Sequence, residues 1–590
     1  MMTEMDPVRS YPNIQIPDHK AASAQRDATA ETPPHGRSNG VDPVGRLLDH
    51  ITEALPGNRQ ALRKLKTRIA AEVKSPLIRN DALLGRYRLE VSRGLRRADA
   101  RVEQILTLNG IRSQSGIATV TVITEPYTCP GRCVFCPTEA RAPKSYLTNE
   151  PAVMRAVRNG YDPYRQVHSR LEALVETGHP TDKIELIIKG GTWSFYPDAY
   201  QRNFIQRCFE AVNDFVQGSG LGVGGNCQPR TQNPEPRTTP ALQDTQRVNE
   251  TARNRIIGIT IETRPDYVDN GEILRLRELG VTRVELGIQS LEESVLELIV
   301  RDHGIAEVRE ATRLLKDAGF KVAYHLMPNL PGATPYSDLE TARALFEDPS
   351  YQPDTMKLYP CVVIESAELY QWWREGRYTP YDDETLIELL IRIKQLVPPY
   401  VRIERVIRDI PSTSIQAGCR VTNLREEVHR RMRSRGLRCA CIRCRQVRET
   451  TEGAFTLIRR DYAASDGTEI FLSFEDPSTD RLASFLRLRI PAPPPVARAG
   501  GPMGAYGAAT GGGGLIRELH SYGHHLPLHH RSDGAVQHHG LGQRLLQEAE
   551  RITRNEFGLQ RMAVIAGVGV REYYRKFGYE LQETYMVKDL

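Results

Sequence analysis

The chain has 590 residues, of which 26% are charged and 40% hydrophobic, with 79 Lys and Arg against 73 Asp and Glu. This length predicts several domains with hydrophobic cores, which excludes a short peptide and a wholly disordered chain. No stretch reaches the roughly 18 consecutive apolar residues of a membrane-spanning helix, and the N-terminus lacks a basic region followed by an apolar one. We therefore expect a soluble, cytoplasmic protein with no membrane partner.

Basic charge is concentrated near the N-terminus. Residues 45–101 contain fourteen basic and six acidic residues, an excess of +8 that is larger than the +6 of the whole chain. Apolar residues recur there at helical spacing between Arg and Lys, namely Leu62, Leu65, Ile69 and Val73. We predict a basic helical region over 45–110, preceded by a disordered tail over 1–44.

The middle of the chain alternates between strand-like and helix-like segments. From about 115 to 400, β-rich runs such as ATVTVIT and KIELIIKGG alternate with helical stretches such as IAEVREATRLLKDAG. This order is typical of a parallel α/β sheet or barrel, whose functional groups gather at the carboxyl ends of the strands. Gly, Pro, Asn and Gln interrupt the pattern at 217–254, which predicts a long surface loop. Further β-like runs predict a second domain over 449–590 with a Pro/Gly-rich insertion at 491–514.

Three cysteines follow the first predicted strand with the spacing C-x3-C-x2-C: Cys129, Cys133 and Cys136. Three thiolates can hold three irons of a [4Fe-4S] cluster and leave the fourth iron to a small-molecule ligand, whereas a structural zinc site would need a fourth protein ligand. The spacing resembles the signature of radical S-adenosylmethionine (SAM) enzymes. That resemblance implies a partial (β/α) barrel over 111–400.

The same resemblance implies a SAM site at later strand ends. The cluster and SAM would supply a 5′-deoxyadenosyl radical that abstracts hydrogen from the substrate. The Gly190–Gly191 pair ends the second predicted strand, where a bare backbone can approach the methionine moiety of SAM. The candidates on later strands are Glu262, Arg264, Asp266 and Gln289. Salt bridges and caps at a barrel mouth are the alternative interpretation of these residues.

A different motif lies near the C-terminus. Residues 537–542 (QHHGLG) lead directly into the helix-like RLLQEAERITR. Such a turn directs free backbone N–H groups and the helix dipole at a pyrophosphate. Together with the following IAGVGVREYYRKFGYE, it resembles the acetyl-CoA site of GNAT acetyltransferases and implies a GNAT-type α+β domain. Core packing is the alternative role for Tyr573 and Tyr574.

The pairing of these two domains resembles the catalytic subunit of Elongator. Matching segments run through residues 115–590, among them IIKGGTW, GITIETRPDY, MPNLPG, NLREE, QHHGLG and YMVKDL. The resemblance implies conversion of the wobble uridine of tRNA, uridine 34 in the anticodon loop, to 5-carboxymethyluridine. Acetyl-CoA would be the substrate that provides the new carbon atoms through its methyl group, and an external electron donor would be needed. A monomer or homodimer without other Elongator subunits is expected.

The resemblance also implies particular contacts with acetyl-CoA. Lys183 matches a lysine that contacts it near the radical site, although an exposed lysine at a strand start is the simpler interpretation. The remaining candidates lie in the C-terminal domain: Glu518, Leu519, His520, Ser521, Gln537, Gly540, Leu541, Gly542, Gln543 and Tyr574. Lys183 and Tyr574 are the candidate catalytic residues.

A second group of cysteines, Cys439, Cys441 and Cys444, has the spacing C-x-C-x2-C. It supplies three soft ligands for a tetrahedral zinc ion, and Cys419 and His429 are equal candidates for the fourth. We expect a structural zinc in a linker over 401–448 that joins the two catalytic domains. The basic region would bind tRNA phosphates.

Two other functions are compatible with parts of the sequence. One is a protein lysine acetyltransferase with a structural Fe–S cluster, and the other is a noncatalytic tRNA-binding scaffold. The intact first cysteine group argues against both, since neither function needs a cluster with an open iron. The intact QHHGLG turn argues against the scaffold.

Overall fold

The computed structural model describes residues 42–107, 116–216, 241–447, 453–492, 512–523 and 540–590. The chain divides into two compact units, residues 1–78 and 79–590. Most of the predicted tail lies outside the described residues. The first helix already begins at Pro43, two residues before the predicted start of the helical region at residue 45, because Asp42 accepts hydrogen bonds from two backbone N–H groups of its first turn.

The first unit contains two described helices, α1 (Pro43–Glu53) and α2 (Arg59–Glu72). Asn58 caps α2 by accepting a hydrogen bond from the backbone N–H of Ala61. Leu62 and Ile69 are buried on one side of this helix, as the apolar spacing predicts. Its exposed side carries Arg59, Arg63, Lys64 and Arg68.

The second unit is built on two large sheets. Its strands are β1 (Ala118–Ile123), β2 (Lys183–Lys189), β3 (Arg255–Thr263), β4 (Arg283–Gln289), β5 (Lys321–Leu326), β6 (Thr355–Leu358), β7 (Val363–Ile364), β8 (Arg402–Arg405), β9 (Ile415–Ala417), β10 (Thr456–Ala464), β11 (Gly467–Asp476), β12 (Arg481–Ile490), β13 (Gly514–Ser521), β14 (Arg561–Val564), β15 (Glu580–Gln582) and β16 (Tyr585–Asp589).

The helices of this unit cover the sheets. They are α3 (Asn80–Ser92), α4 (Ala100–Leu106), α5 (Pro151–Arg158), α6 (Pro163–Glu176), α7 (Asp198–Asp214), α8 (Leu242–Thr251), α9 (Asn270–Glu278), α10 (Glu293–Leu298), α11 (Ile305–Asp317), α12 (Pro335–Glu347), α13 (Leu369–Arg374), α14 (Asp383–Leu396), α15 (Leu424–Ser434), α16 (Ile442–Arg445), α17 (Leu541–Asn555) and α18 (Arg571–Arg575). No helix among the described residues is long and apolar enough to cross a membrane.

The first sheet is a half-barrel of parallel strands in the order β1-β2-β3-β4-β5-β6-β8. The sequential order and parallel pairing follow from the strand-then-helix repeat, since each crossover helix returns the chain to the same end of the sheet. Strand β8 lies beyond the predicted domain boundary at residue 400. The half-barrel therefore includes the start of the segment predicted as a linker.

One part of the loop prediction is wrong. Residues 242–251, within the predicted loop 217–254, form helix α8, while residues 217–240 lie outside the described part of the chain. The polar composition of this segment is typical of a loop, but the segment forms a helix because its buried polar side chains have hydrogen-bond partners in the folded protein. The Asn249 side chain accepts a hydrogen bond from the backbone N–H of Ile256 and donates one to the backbone carbonyl of Asn254.

The second sheet has the order β10-β11-β12-β13-β14-β16-β15. Neighbouring strands within this sheet are antiparallel, except that β13 and β14 run parallel. The Pro/Gly-rich segment at 491–514 connects β12 and β13, which are paired in this sheet. The residues between 493 and 511 lie outside the described part of the chain.

Buried ion pairs join the two sheets. Arg517 on β13 donates to the Asp354 carboxylate, just before β6, at 2.8 Å, and to the backbone carbonyl of Phe320, just before β5, at 2.6 Å. The Lys316 ammonium and the Arg487 guanidinium lie 3.9 and 3.5 Å from the same carboxylate. These two arginines, one lysine and one aspartate are all buried, and buried charges of opposite sign require close mutual contact, so this interface holds the second sheet in a defined position against the half-barrel.

Candidate active site

The first cysteine group lies on an irregular segment that follows β1. Cys133 is buried, whereas Cys129 and Cys136 are half-buried. The Arg301 guanidinium donates a hydrogen bond to Cys133 Sγ at 3.2 Å, and Cys129 Sγ lies 3.7 Å from Thr192 Oγ1. Backbone hydrogen bonds from Val134 to Ile299 and from Leu369 to Val134 hold the segment against the end of α10 and the start of α13.

The predicted SAM residues surround this segment. Arg264 ends β3 and pairs with Asp266 at 2.9 and 2.8 Å. Its Nη1 is buried and has no hydrogen-bond partner in the part of the chain that the structure describes. A Cβ at Gly131 would lie 2.3 Å from that Nη1, so only glycine permits this approach. Three thiols beside a guanidinium that keeps one buried N–H group without a partner among the described residues fit an anionic cluster and the carboxylate of SAM.

The glycine pair at the end of β2 packs closely against its surroundings, with Gly190 buried and Gly191 half-buried. Gly190 has a φ of +148°, and a Cβ there would lie 1.7 Å from Thr124 Oγ1. Gln289 ends β4 with a φ of +67°, and its Oε1 is buried without a hydrogen-bond partner among the described residues. These groups and the Arg264 side chain lie at the carboxyl edge of the sheet, as predicted.

Protein partners occupy the carboxylate of Glu262, another predicted SAM residue. Lys189 forms an ion pair with it, and Tyr146 donates a hydrogen bond to it at 2.6 Å. Burial would raise the pKa of Glu262, but the ammonium of Lys189 holds it below its ordinary value. The geometry therefore favours the salt-bridge interpretation of this residue.

The sequence analysis missed a layer of charges inside the half-barrel. Lys357 and Lys189 both pair with the Glu285 carboxylate, and His325 Nε2 lies 3.0 Å from it. Burial lowers the pKa of Lys357 to about 8. Arg283 forms ion pairs with Glu185 on β2 and Glu404 on β8, which lie on opposite sides of its own strand β4. Charged residues at alternate positions of KIELIIK, RVELGIQ and RIER were the available signal.

A cavity of about 1110 Å³ connects this interior with the second sheet. From the half-barrel it is lined by Glu185, Ile187 and Lys189, which alternate along the inner face of β2. From the second sheet it is lined by most of the predicted acetyl-CoA residues, namely Glu518, Leu519, His520, Ser521, Gly540, Gly542, Gln543 and Tyr574. The structure therefore places the inner face of the half-barrel and most of the predicted acetyl-CoA residues around one continuous space. The predicted SAM residues do not line this cavity.

The predicted acetyl-CoA residues share an exposed backbone. Strand β13 pairs with β14 only over Gly514–Ile516, whereas it pairs with β12 as far as Ser521. Beyond Ile516, one edge of β13 has no partner strand among the described residues. Helix α17 begins after Gly540 without a side-chain cap, so its first N–H groups are also available to an anion. Gln537 lies outside the described residues.

The two candidate catalytic residues lie at different places. Tyr574 on α18 is buried and lines the cavity, and burial raises its pKa above the ordinary tyrosine value. Lys183 begins β2, about 20 Å from the Lys189 end of that strand at 3.3 Å per residue. Its position alternates with Glu185 and Ile187, so it lies on the face that lines the cavity. Partial burial lowers its pKa.

The second cysteine group is more compact than the first. The Sγ atoms of Cys439, Cys441 and Cys444 all lie within 4.8 Å of one another. Hydrogen bonds from the other two thiols hold the pKa of Cys441 well below the usual thiol value. His429 Nε2 lies 3.8 Å from Cys444 Sγ, whereas Cys419 interacts with Asp383. Of the two candidates for a fourth ligand, the geometry favours His429.

The segment that carries this second group contacts both sheets. Ile442 donates a backbone hydrogen bond to Val401 beside β8 at 3.0 Å, and Val447 donates one to Leu482 on β12 at 2.9 Å. Arg445 pairs with Glu475 on β11 at 2.7 Å. The cysteines thus lie where the half-barrel and the second sheet are joined.

Comparisons with known proteins agree with this architecture. The radical SAM superfamily model matches residues 126–345, and the radical SAM C-terminal domain model matches residues 353–434. A tRNA uridine(34) acetyltransferase of Dehalococcoides mccartyi is 48% identical over 486 residues, which cover 81% of this chain and 99% of that relative. Elongator complex protein 3 of Homo sapiens is 39% identical over 498 residues, which cover 81% and 85% of the two chains.

A solved structure shows the same likeness. The archaeal Methanocaldococcus infernus Elp3 with an N-terminal deletion of residues 1–46 has a TM-score of 0.66 and 40% identity, and the match covers 81% of this chain and all of that one. The radical SAM domain implies a [4Fe-4S] cluster and SAM, which the first cysteine group and its surroundings fit. The chain belongs to the radical SAM family that includes the tRNA uridine(34) acetyltransferases and Elongator complex protein 3.

Proposed function

We propose that the protein modifies C5 of uridine 34 in tRNA and forms 5-carboxymethyluridine from acetyl-CoA. The observation that supports this most directly is the single cavity lined by both the half-barrel and the predicted acetyl-CoA residues. A protein that used its two domains independently would not need this connection. The relatives named for tRNA uridine(34) acetylation support tRNA as the acceptor.

The chain's own residues have separable roles in this reaction. Cys129, Cys133 and Cys136 would hold the cluster, which together with SAM supplies a radical that can abstract hydrogen from an unactivated methyl group. The free edge of β13 and the N-terminus of α17 would bind acetyl-CoA. The buried interface between Arg517 and Asp354 keeps these two sites at a constant distance.

This reaction joins the methyl carbon, not the carbonyl carbon, of the acetyl group to C5 of uridine. One hydrogen of the methyl group would pass to the 5′-deoxyadenosyl radical, and the C5 hydrogen of the base would leave as a proton together with one electron when the new C–C bond has formed. That electron balances the one needed to cleave SAM to methionine and 5′-deoxyadenosine. Hydrolysis of the thioester then releases CoA and leaves a carboxylate. Tyr574 is a candidate proton donor in the thioester step, because burial keeps its phenol protonated.

An isotope experiment tests this proposal. The anaerobic, cluster-loaded enzyme is given SAM, reductant, unmodified tRNA and acetyl-CoA with three deuterium atoms on the methyl group. We expect carboxymethyluridine with two deuterium atoms, and 5′-deoxyadenosine that has gained one. A nucleoside that keeps all three would show transfer through the carbonyl carbon. If the tRNA stays unmodified while labelled 5′-deoxyadenosine forms, only the assignment of this tRNA as the acceptor is overturned.

We propose a structural zinc ion for the second cysteine group, held by Cys439, Cys441, Cys444 and His429. Three thiols and one imidazole are a common tetrahedral donor set for zinc. The group's contacts with both sheets support a role in fixing the domains together. Zinc content of the purified protein, compared between wild type and Cys441→Ala, tests this assignment.

We propose that α2 contributes to tRNA binding through its exposed basic side. Arg59, Arg63 and Lys64 are exposed, whereas Leu62 and Ile69 of the same helix are buried. Binding to phosphates through such residues releases counterions, so the affinity should fall steeply as salt is raised. Replacing the three basic residues with Gln should reduce the slope of log affinity against log salt by about three.

A further inference from the structure

A stack of tyrosine rings begins beside the first cysteine group. Tyr200 stacks on Tyr196 with 5.0 Å between ring centroids and an interplanar angle of 19°, and Tyr196 stacks on Tyr127 at 4.9 Å and 28°. Tyr127 is the last ring of the stack and stands two residues before Cys129. Phe195 borders it at 6.0 Å in a tilted arrangement.

The inner rings of this stack are held by hydrogen bonds. Tyr196 Oη lies 2.8 Å from Thr124 Oγ1 and 3.0 Å from the backbone carbonyl of Gly190. The backbone N–H of Glu125 donates to Tyr200 Oη at 3.0 Å. Tyr196 therefore connects the stack to the glycine pair at the end of β2, and Tyr127 rests on a support that cannot easily rotate.

The outer ring is different, because 43% of Tyr127 is exposed. Tyrosine in a stack of this kind usually packs in a core, and Tyr196 is indeed buried. An exposed tyrosine whose one face is occupied offers its other face to a ligand ring. Every nucleobase has a π-face, and stacking on aromatic side chains is the usual way in which proteins hold an unstacked RNA base.

We infer that Tyr127 stacks on a base of the tRNA anticodon loop, uridine 34 or its neighbour, and positions it beside the first cysteine group. The inference rests on the proposed function for the identity of the RNA. Arg132 and Arg141 are exposed on the same segment and provide positive charge suited to phosphates. The stack makes Tyr127 a positioning residue, and the hydroxyl group is not needed for this role.

A cross-linking experiment tests the contact in the unmodified enzyme. tRNA carrying 5-iodouridine at position 34 is bound to the cluster-loaded enzyme, irradiated, and the cross-linked peptide is identified by mass spectrometry. We expect the cross-link on Tyr127. A cross-link that maps to another aromatic residue, with none on Tyr127, would overturn the inference, and this measurement does not depend on any variant folding correctly.

Substitutions measure the contribution of the ring. Removal of one base–aromatic stack corresponds to a loss of about 5-fold to 150-fold, so Tyr127→Ala should lower product formation at limiting tRNA by that factor. Tyr127→Phe should retain activity because it keeps the ring. Tyr336→Ala, which removes an exposed tyrosine at 71% exposure on α12, should have no effect. Equal losses in the Phe and Ala variants would contradict a stacking role.

Two further readouts separate the possible sources of failure. The adenine of SAM is also a nucleobase, so SAM affinity is measured in Tyr127→Ala, and a loss there with unchanged tRNA affinity would overturn the inference. If wild-type enzyme forms no carboxymethyluridine but still cross-links through Tyr127, the proposed function fails and the base contact stands. If the product forms normally in Tyr127→Ala, the function stands and the contact is wrong.

Discussion

Each of the two cysteine groups contains three thiols, but the surroundings of the two groups differ. The first lies on an irregular segment at the carboxyl edge of the half-barrel, with Cys129 and Cys136 half-buried and the Arg301 guanidinium 3.2 Å from Cys133 Sγ. The second has its three Sγ atoms within 4.8 Å of one another, with Cys441 fully buried. Two of the three thiols of the first group are half-buried, whereas in the second group only Cys444 is half-buried and the cysteines lie where the two sheets are joined.

This difference indicates what each group does. Ligands that leave a metal site open to a substrate must lie near solvent or a cavity, whereas ligands that stabilise a fold are best enclosed. We therefore expect changes in the first group to affect the reaction and changes in the second to affect stability. The predictions below test that division, beginning with the largest effect.

Cys133→Ala should abolish carboxymethyluridine formation, because two thiols cannot hold three irons of the cluster. The folded protein should remain, since the substitution removes one small buried side chain and costs about 1 kcal/mol. Product formation is measured by mass spectrometry of digested tRNA, and unfolding by denaturant titration. If the variant keeps its activity, or if it unfolds, the first cysteine group does not act in the reaction alone and the proposed division between the two groups is wrong.

Cys441→Ala should reduce the free energy of unfolding by about 3 kcal/mol or more and release zinc, because a structural metal stabilises the folded state directly. Cys208→Ala is the matched control, since Cys208 is equally buried on α7 but belongs to neither group. Denaturant unfolding and metal analysis check both variants. Equal destabilisation by the two substitutions would argue that packing, not zinc, is the contribution of Cys441.

His429→Ala should weaken zinc binding by at least about tenfold, equivalent to about 1.4 kcal/mol. Cys419→Ala should leave zinc binding unchanged, because Cys419 interacts with Asp383 and not with the three cysteines. Competition with a chromogenic chelator measures both affinities. A loss of zinc affinity in Cys419→Ala but not in His429→Ala would identify Cys419 as the fourth ligand.

Arg301→Gln should lower the reduction potential of the cluster by tens of millivolts, the smallest of these effects. A cation beside a ligand sulfur stabilises the more negative, reduced state, and hydrogen bonds to sulfur tune such potentials. Redox titration followed by electron paramagnetic resonance measures the shift. Arg132→Gln, an exposed arginine on the same segment, is the control and should leave the potential unchanged.

Much of the architecture could be predicted because it depends on local order. Alternating strands and helices specify a parallel sheet, and the prediction of a radical SAM domain is confirmed by the family match. Helix α8 was missed because its buried polar residues gain their partners only through contacts with β3 and the residues before it. Composition alone cannot distinguish such a helix from a loop.

The site shows the same limit. Most of the acetyl-CoA residues that the sequence predicted line the cavity, but the sequence did not indicate that the inner face of the half-barrel lines the same cavity. The charges inside the half-barrel were overlooked because ion pairs such as Arg283 with Glu404 join residues 121 positions apart. Glu262 was assigned to SAM, and its partner Lys189 is close only after the sheet forms.

The sequence by itself determined the family, the order of the elements and the two sets of cysteines, because these depend on which residues stand at short spacings along the chain. The tertiary structure decided which residues face one another. It placed His429 beside Cys444, joined the half-barrel to the second sheet through Arg517 and Asp354, and left Tyr127 exposed at the end of a stack. Contacts between distant residues depend on how sheets pack, which no local pattern specifies.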